Sequence, residues 1–149
     1  MKLRLIVVGR GAADLGSYEA RILKRFKGQL SFEVVELPEG KGKQISQRKQ
    51  EEERHILKAA SPEFILFDER GKGLTSTQWA GYLEKLHAGA SLDFVIGGAS
   101  GVSDGVRQAA GDCWSLSALT LPHQLARILV VEQIYRAFTI LQGHPYHRE

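Results

Sequence analysis

Residues 92–101 read Leu-Asp-Phe-Val-Ile-Gly-Gly-Ala-Ser-Gly, a short apolar run that stops on a glycine-rich turn. Apolar side chains fall on both alternating faces of the run, as expected of a strand buried on both sides in a parallel sheet. Beyond the turn, Ser103 is placed to cap a helix over residues 103–110. The same alternation of short apolar and longer amphipathic stretches extends in both directions. Residues 3–8, 32–37, 64–68 and 114–119 complete a set of five predicted strands. Helices are predicted over about 17–27, 46–60, 76–87, 103–110 and 123–141, the third opened by the capping box Thr75-x-x-Gln78. No repeat, low-complexity tract or linker breaks this order. Residues 1–149 therefore read as one α/β domain, a parallel sheet flanked by helices.

Composition limits the function classes. The 149 residues carry 20 Lys and Arg against 17 Asp and Glu, a net charge of +3, which excludes a histone-like polycation. The single cysteine, Cys113, allows no intramolecular disulfide and no Cys-rich metal cluster, and it reads as a core thiol rather than a nucleophile. The apolar run behind Lys2 and Arg4 is shorter than a signal-peptide core. No stretch approaches the ~18 apolar residues of a membrane span, so a cytoplasmic protein with no membrane partner is expected. The charge is uneven: residues 1–58 carry +5 and residues 59–149 carry −2. The basic excess is densest at Lys41, Lys43, Arg48 and Lys49, a group that could contact a phosphate backbone. Alternatively, Arg48 with Glu52 and Lys49 with Glu53 are i,i+4 pairs on a solvated helix, a reading that leaves Lys41 and Lys43 unpartnered in sequence.

Three stretches could carry chemistry. Gly9-Arg10-Gly11 after the first strand begins like a dinucleotide fingerprint but has Asp14 where the third glycine belongs. The turn Gly97-Gly98-Ala99-Ser100-Gly101 and the loop 116–123 both follow strands at the carboxyl end of the sheet, where open α/β sheets bind ligands. The C-terminal stretch holds His144, Tyr146, His147 and Arg148, residue types used for proton transfer and phosphate clamping, although a frayed terminus has the same composition. His144-x-x-His147 lacks the further ligands of a zinc site, and no metal is expected.

Taken together, Ile96-Gly97-Gly98-x-x-Gly101, Trp114-Ser-Leu-Ser-Ala-Leu-Thr-Leu-Pro-His123, Glu132-x-x-Tyr135-Arg136-Ala137 and the closing His144-Pro-Tyr-His-Arg-Glu149 resemble the ribosomal RNA large subunit methyltransferase H family. Met1-Lys-Leu-x-Leu and Leu66-Phe67-Asp68-x-x-Gly71-Lys72 fit it too, so the resemblance spans the chain. It implies the SPOUT α/β knot, a homodimer whose C-terminal sheet region threads a loop to form a trefoil knot. The implied activity is S-adenosylmethionine-dependent methylation of N3 of a pseudouridine in 23S rRNA, in the stem-loop at the subunit interface of the assembled ribosome. The implied cofactor residues are Phe67 (usually Leu in the family), Gly98, Ser117, Ala118, Leu119, Thr120, Leu121 and Pro122. The implied active-site residues are Tyr146, His147 and Arg148; on the tail's composition, His147 is the residue expected to manage the acceptor proton. Lys41, Lys43, Arg136 and His144 are candidate RNA contacts. On the last helix Leu125, Ile128, Leu129, Val131, Ile134, Tyr135, Phe138 and Leu141 cover more than one face, a surplus that predicts a two-fold interface. Two other readings remain: a non-catalytic ribosome- or RNA-binding module of the same fold, and a nucleotide-binding Rossmann-like protein.

Overall fold

Side-chain alternation along the strands explains how the layers assemble. A computed structural model describes residues 1–26, 28 and 30–148. In chain order its elements are β1 Lys2–Val8, α1 Ala13–Leu23, β2 Ser31–Leu37, α2 Ile45–Ala59, β3 Ile65–Gly73, α3 Ser76–Glu84, β4 Ser91–Ile96, α4 Asp104–Ala109, β5 Asp112–Ser115 and α5 His123–Leu141. The sheet order is β2-β1-β4-β3-β5, with every neighbouring pair parallel. Leu3, Leu5 and Val7 of β1 point to one face, with Phe67, Phe94 and Ile96, and pack under α1, α3 and α5. Ile6 and Val8 point to the other, with Leu66 and Val95, under α2 and α4. Central strands apolar on both faces are thus covered on both faces, and the predicted layered parallel sheet is what forms.

The helix starts follow local chemistry where a cap is available. Thr75 accepts from the Gln78 backbone N–H while the Gln78 side chain accepts from Thr75 N, and Ser103 Oγ accepts from Val106 N. The first helix starts earlier than predicted, at Ala13, and ends at Leu23; Lys27, its expected end, lies outside the described residues. Strand β5 stops at Ser115 instead of reaching residue 119. There Ser115 Oγ donates to the Ser117 carbonyl and Ser117 Oγ accepts from Leu119 N, so local hydroxyl bonds turn the backbone away from the ladder. Strand β3 is longer than predicted and irregular, because Phe67 and Lys72 both pair with Trp114 while residues 68–71 loop out between them.

At the amino end of the sheet, Arg4 of β1 forms a fork with Asp93 of β4, at 2.9 and 2.6 Å. The Ser61 N–H and hydroxyl donate to the same carboxylate. Burial pushes the Asp93 carboxyl up, but the bonds from Arg4 and Ser61 more than reverse this and hold it below the usual carboxylate range. A lowered folded value contributes stability that is present above the unfolded carboxylate value of about 4 and is lost as pH falls through the folded one. Thermal unfolding between about pH 6 and pH 2 is therefore expected to show a shallower acid-side loss of Tm in Asp93→Asn than in wild type. The variant is also expected to be less stable at pH 7.

Candidate functional site

All five strands end at the same edge of the sheet, and the loops leaving β3, β4 and β5 there enclose a cleft of about 850 Å³. That volume lies within the usual range for a small-molecule site. Phe67 and Ile96 form its apolar floor at the strand ends. The turn 97–102 makes one wall, and the loop 115–122 with His123 and Ala126 of α5 makes the other. Phe67 is held from behind by ring contacts with Trp79 at 5.5 Å, Phe94 at 5.8 Å and Trp114 at 6.2 Å. The bulk that a phenylalanine adds is thus absorbed by the aromatic core.

The two predicted loops meet across this cleft. The turn closes on itself through Gly101 N donating to Gly98 O at 3.0 Å, and Gly101 adopts a positive φ of 82°. A side chain at Gly98 would be crowded: its Cβ would lie 3.0 Å from Glu52 Oε1 and 3.2 Å from Val8 Cγ1, so both neighbours would have to give way. Of the predicted cofactor residues, Phe67, Gly98, Ser117, Leu119, Thr120, Leu121 and Pro122 line the cleft. Ala118 faces an adjoining hollow with Gly71, Gly73 and Thr75. Leu119 is 71% exposed.

Several cleft residues escaped the sequence reading. Asp68, Glu69, Arg70 and Arg107 supply its charges. Arg107 Nε donates to Asp68 at 3.1 Å and Arg70 N at 2.9 Å. Burial raises the Asp68 carboxyl, but these bonds and the two guanidinium charges hold it below its ordinary range, so it is ionised at neutral pH. Asp68 sat inside a quoted motif, yet Arg107, 39 residues away in sequence, gave no signal of being its partner. Cys113 is half-buried, and burial together with the Asp68 charge pushes its thiol up, consistent with an unreactive packing residue.

The tail lies elsewhere in the same chain. Tyr146 packs edge-on against Tyr135 at 4.9 Å, carries the Arg136 guanidinium over its ring at 4.8 Å, and donates its hydroxyl to Glu132 at 3.1 Å. Burial, then the Glu132 charge, raises the Tyr146 hydroxyl, which therefore remains a donor. Arg136 Nη1 lies 3.2 Å from His147 Nδ1. Arginine has only donors, so Nδ1 is the accepting atom in this contact. Arg148 and His144 are exposed, and Glu149 lies outside the described residues. Helix α5 has 19 residues and spans roughly 28 Å, starting at the cleft. Glu132, where Tyr146 is anchored, is about 13 Å along it from His123. Tyr146, His147 and Arg148 therefore do not line the cleft of their own chain.

The expected i,i+4 pairs on α2 do not form. Arg48 instead donates to the carbonyls of Gly42 and Lys43, Glu52 accepts from Gly40 N, and Glu53 accepts from Ser103 Oγ. Tertiary partners outcompete weak helix-surface pairing, which contributes only about 0.2–0.5 kcal/mol per pair. Lys41 and Lys43 are exposed at the cleft end of the sheet. Among the described residues no group of His, Cys, Asp and Glu could hold a metal ion, and no helix is long and apolar enough to cross a membrane.

The chain is similar to known proteins. A family model described as "Predicted SPOUT methyltransferase" matches residues 1–147. The chain is 41% identical over 156 residues to a protein of Thiobacillus denitrificans named "Ribosomal RNA large subunit methyltransferase H", with both chains fully covered. It is 40% identical over 158 residues, again with full coverage, to a protein of the same name from Hydrogenovibrio crunogenus. Among solved structures, a probable methylase family protein from Haemophilus influenzae superposes with a TM-score of 0.58 at 12% identity. That match covers 99% of this chain and 70% of the other, and it speaks to the fold alone.

Proposed function

The chain belongs to the SPOUT methyltransferase family, and from that premise we propose that it transfers a methyl group from S-adenosylmethionine to N3 of a pseudouridine in 23S rRNA of the assembled ribosome. The observation that carries this reading is the cleft: two loops, one glycine-rich and one rich in small hydroxyl residues, face each other over an apolar floor at the carboxyl end of a parallel sheet. The residues fit the cofactor. Loop 117–122 offers backbone donors and acceptors for a purine edge, Phe67 and Leu121 offer apolar contact, and the Gly98 turn lets backbone approach closely. Asp68 is paired with Arg70 and Arg107, which leaves Glu69, in no ion pair among the described residues, as the carboxylate available to a cationic sulfonium.

The bound cofactor supplies an electrophilic methyl group. The protein's task is to place the acceptor nitrogen in line with it and to remove the imide proton. His147 is the residue proposed to manage that proton, Tyr146 to stack on or hydrogen-bond the base, and Arg148 to clamp phosphate or stabilise developing imide charge. Arg136 and His144 are proposed RNA contacts. To accept a proton at Nδ1, His147 has to exchange its bond with Arg136 for one with the base.

Because the tail lies away from its own cleft, the reading includes a two-fold dimer in which each cleft is completed by the partner's tail. Leu125 at 45%, Leu129 at 39% and the nearby Leu119 leave an apolar strip beside the cleft that supports such an interface. The trefoil threading of the family is part of the same reading. Cytoplasmic location follows from the substrate.

Calorimetry with S-adenosylmethionine tests the cleft. Wild type is expected to bind, and Gly98→Val to lose at least about tenfold in affinity, because the added side chain displaces the turn from Glu52 and Val8. No binding by wild type would leave a non-catalytic RNA-binding module instead.

A further inference from the structure

Three cations rise from the loops beside the cleft: Arg10 after β1, and Lys41 and Lys43 after β2. All three are exposed. None forms an ion pair among the described residues. The loops stem from paired neighbouring strands, joined at their base by Gly9 N donating to Leu37 O at 2.8 Å.

The backbone beneath these side chains is tied down from several directions. Gly40 N donates to Glu52 at 2.8 Å and Lys41 N to Glu51 at 2.9 Å, while Arg48 reaches across to the carbonyls of Gly42 and Lys43. On the other loop, Ala12 N donates to Gln124 Oε1 at 2.9 Å, Gln124 Nε2 donates to Arg10 O at 2.6 Å, and Gly11 N donates to Glu36 at 2.8 Å. Nearby acids are largely engaged. Glu51 and Glu52 are bonded to backbone amides, and Glu36 is shared between Gly11 N and Arg127 while also facing the Arg10 charge. Glu39 beside Gly9 and Asp14 in the first turn of α1 temper the charge. The result is cationic side chains displayed from a fixed frame, which loses less backbone entropy on binding than a mobile basic loop does.

We propose that Arg10, Lys41 and Lys43 form a preorganised edge that grips the phosphodiester backbone of the RNA substrate next to the cleft. The proposal rests on the methyltransferase reading and specifies how its substrate is held. Glu52, 8% exposed, is the positioning residue that joins this edge to the cofactor turn: one oxygen holds Gly40 N, and the carboxylate packs against Gly98. Phosphate contacts release counterions, so the number of cations involved sets the salt dependence of binding, whereas preorganisation sets its strength at a given salt.

The test is equilibrium binding of the full chain to purified ribosomes between about 50 and 300 mM salt. The triple variant Arg10→Gln/Lys41→Gln/Lys43→Gln is expected to bind at least about tenfold more weakly at 150 mM, with a log–log salt slope shallower by about 2–3. Its affinity for S-adenosylmethionine should be unchanged. Glu52→Ala keeps every cation, so the slope should stay while affinity falls about three- to tenfold; Glu52→Gln, which still accepts from Gly40 N, should recover it. A triple variant with wild-type affinity and slope overturns the edge. Wild-type binding by Glu52→Ala overturns the preorganisation. A wild-type chain with no affinity for ribosomes or ribosomal RNA overturns the methyltransferase reading itself.

Discussion

Deleting residues 144–149 is expected to lower methyl transfer to ribosomes by about 10²–10⁴-fold or more while leaving S-adenosylmethionine affinity within about twofold of wild type. The reason is spatial. The cleft is bounded by loops of β3, β4 and β5 and the start of α5, whereas Tyr146 and His147 are anchored on Glu132 and Arg136 further along that helix. Removing the tail takes away the groups proposed to face the acceptor base and none that line the cofactor cleft. Two finer variants separate chemistry from packing, since Tyr146 also rests against the core. His147→Ala should reduce turnover with little change in Tm, and a wild-type rate would remove the proton assignment. Tyr146→Phe keeps the ring on Tyr135 and loses only the bond to Glu132. In a shared-site dimer, mixing the tail deletion with Gly98→Val produces hybrids in which one cleft and one tail are intact. Activity should then return toward about a quarter of the wild-type level, since random mixing makes about half the dimers hybrids and each hybrid has one working site of two. Absence of any recovery would argue for sites built within single chains.

A large effect on stability is expected from Gly71→Ala, at about 2–4 kcal/mol. Gly71 lies where the β3 loop passes against β5. A Cβ there would sit 2.6 Å from the Trp114 carbonyl carbon and 2.7 Å from both the Cys113 carbonyl carbon and its oxygen. These are backbone atoms of a paired strand, so no rotamer change relieves the contact. Relief requires parting β3 from β5. That pairing holds Trp114, 1% exposed and in ring contact with Phe67, Trp79, Tyr82 and Phe94. The same pairing sets where loop 116–122 begins, so cofactor binding should weaken along with stability. Gly73, two residues on, has nothing within 4 Å of its would-be Cβ, and Gly73→Ala should stay within about 1 kcal/mol of wild type. Urea unfolding of the pair reads the difference directly. Equal stabilities would show that the strands can separate at this point without loss.

The layered parallel sheet was legible because its evidence is local. Leu3–Val8-type runs, apolar on both faces, have few other stable places, and the Thr75 and Ser103 caps announce themselves within four residues. What failed to show was decided by distant partners or by competing local bonds. The end of β5 is hidden in the sequence because Leu116, Leu119 and Leu121 continue the apolar pattern; serine hydroxyls, not hydrophobicity, end the strand. On α2, the spacing of Arg48 with Glu52 and Lys49 with Glu53 pointed to surface pairs. The loop 40–43 and Ser103 claimed Arg48 and the carboxylates instead. At the site, both loops were visible as glycine and small-residue clusters following strands. The Asp68–Arg107 pair and the buried Glu52 behind Gly98 were not, since no short-range pattern encodes a contact between α2 or α4 and a strand end.

The charge distribution takes on a spatial meaning. The +5 of residues 1–58 includes an ordered edge at the cleft end of the sheet, made of Arg10, Lys41 and Lys43 on braced loops. The modest overall charge of +3 suits recognition of a shaped ribosomal site, where position supplements electrostatics, more than it suits gripping bare RNA.

The most direct measurement of the central claim is transfer of a tritiated methyl group from S-adenosylmethionine to purified ribosomes and, in parallel, to free 23S rRNA, with the modified nucleoside identified by mass spectrometry. The predicted result is incorporation into assembled ribosomes, strongly preferred over free RNA, recovered as a pseudouridine methylated at N3. Incorporation into a different base would contradict the assigned acceptor, and a wild-type protein that binds the cofactor yet transfers nothing to either substrate would contradict the methyltransferase account as a whole.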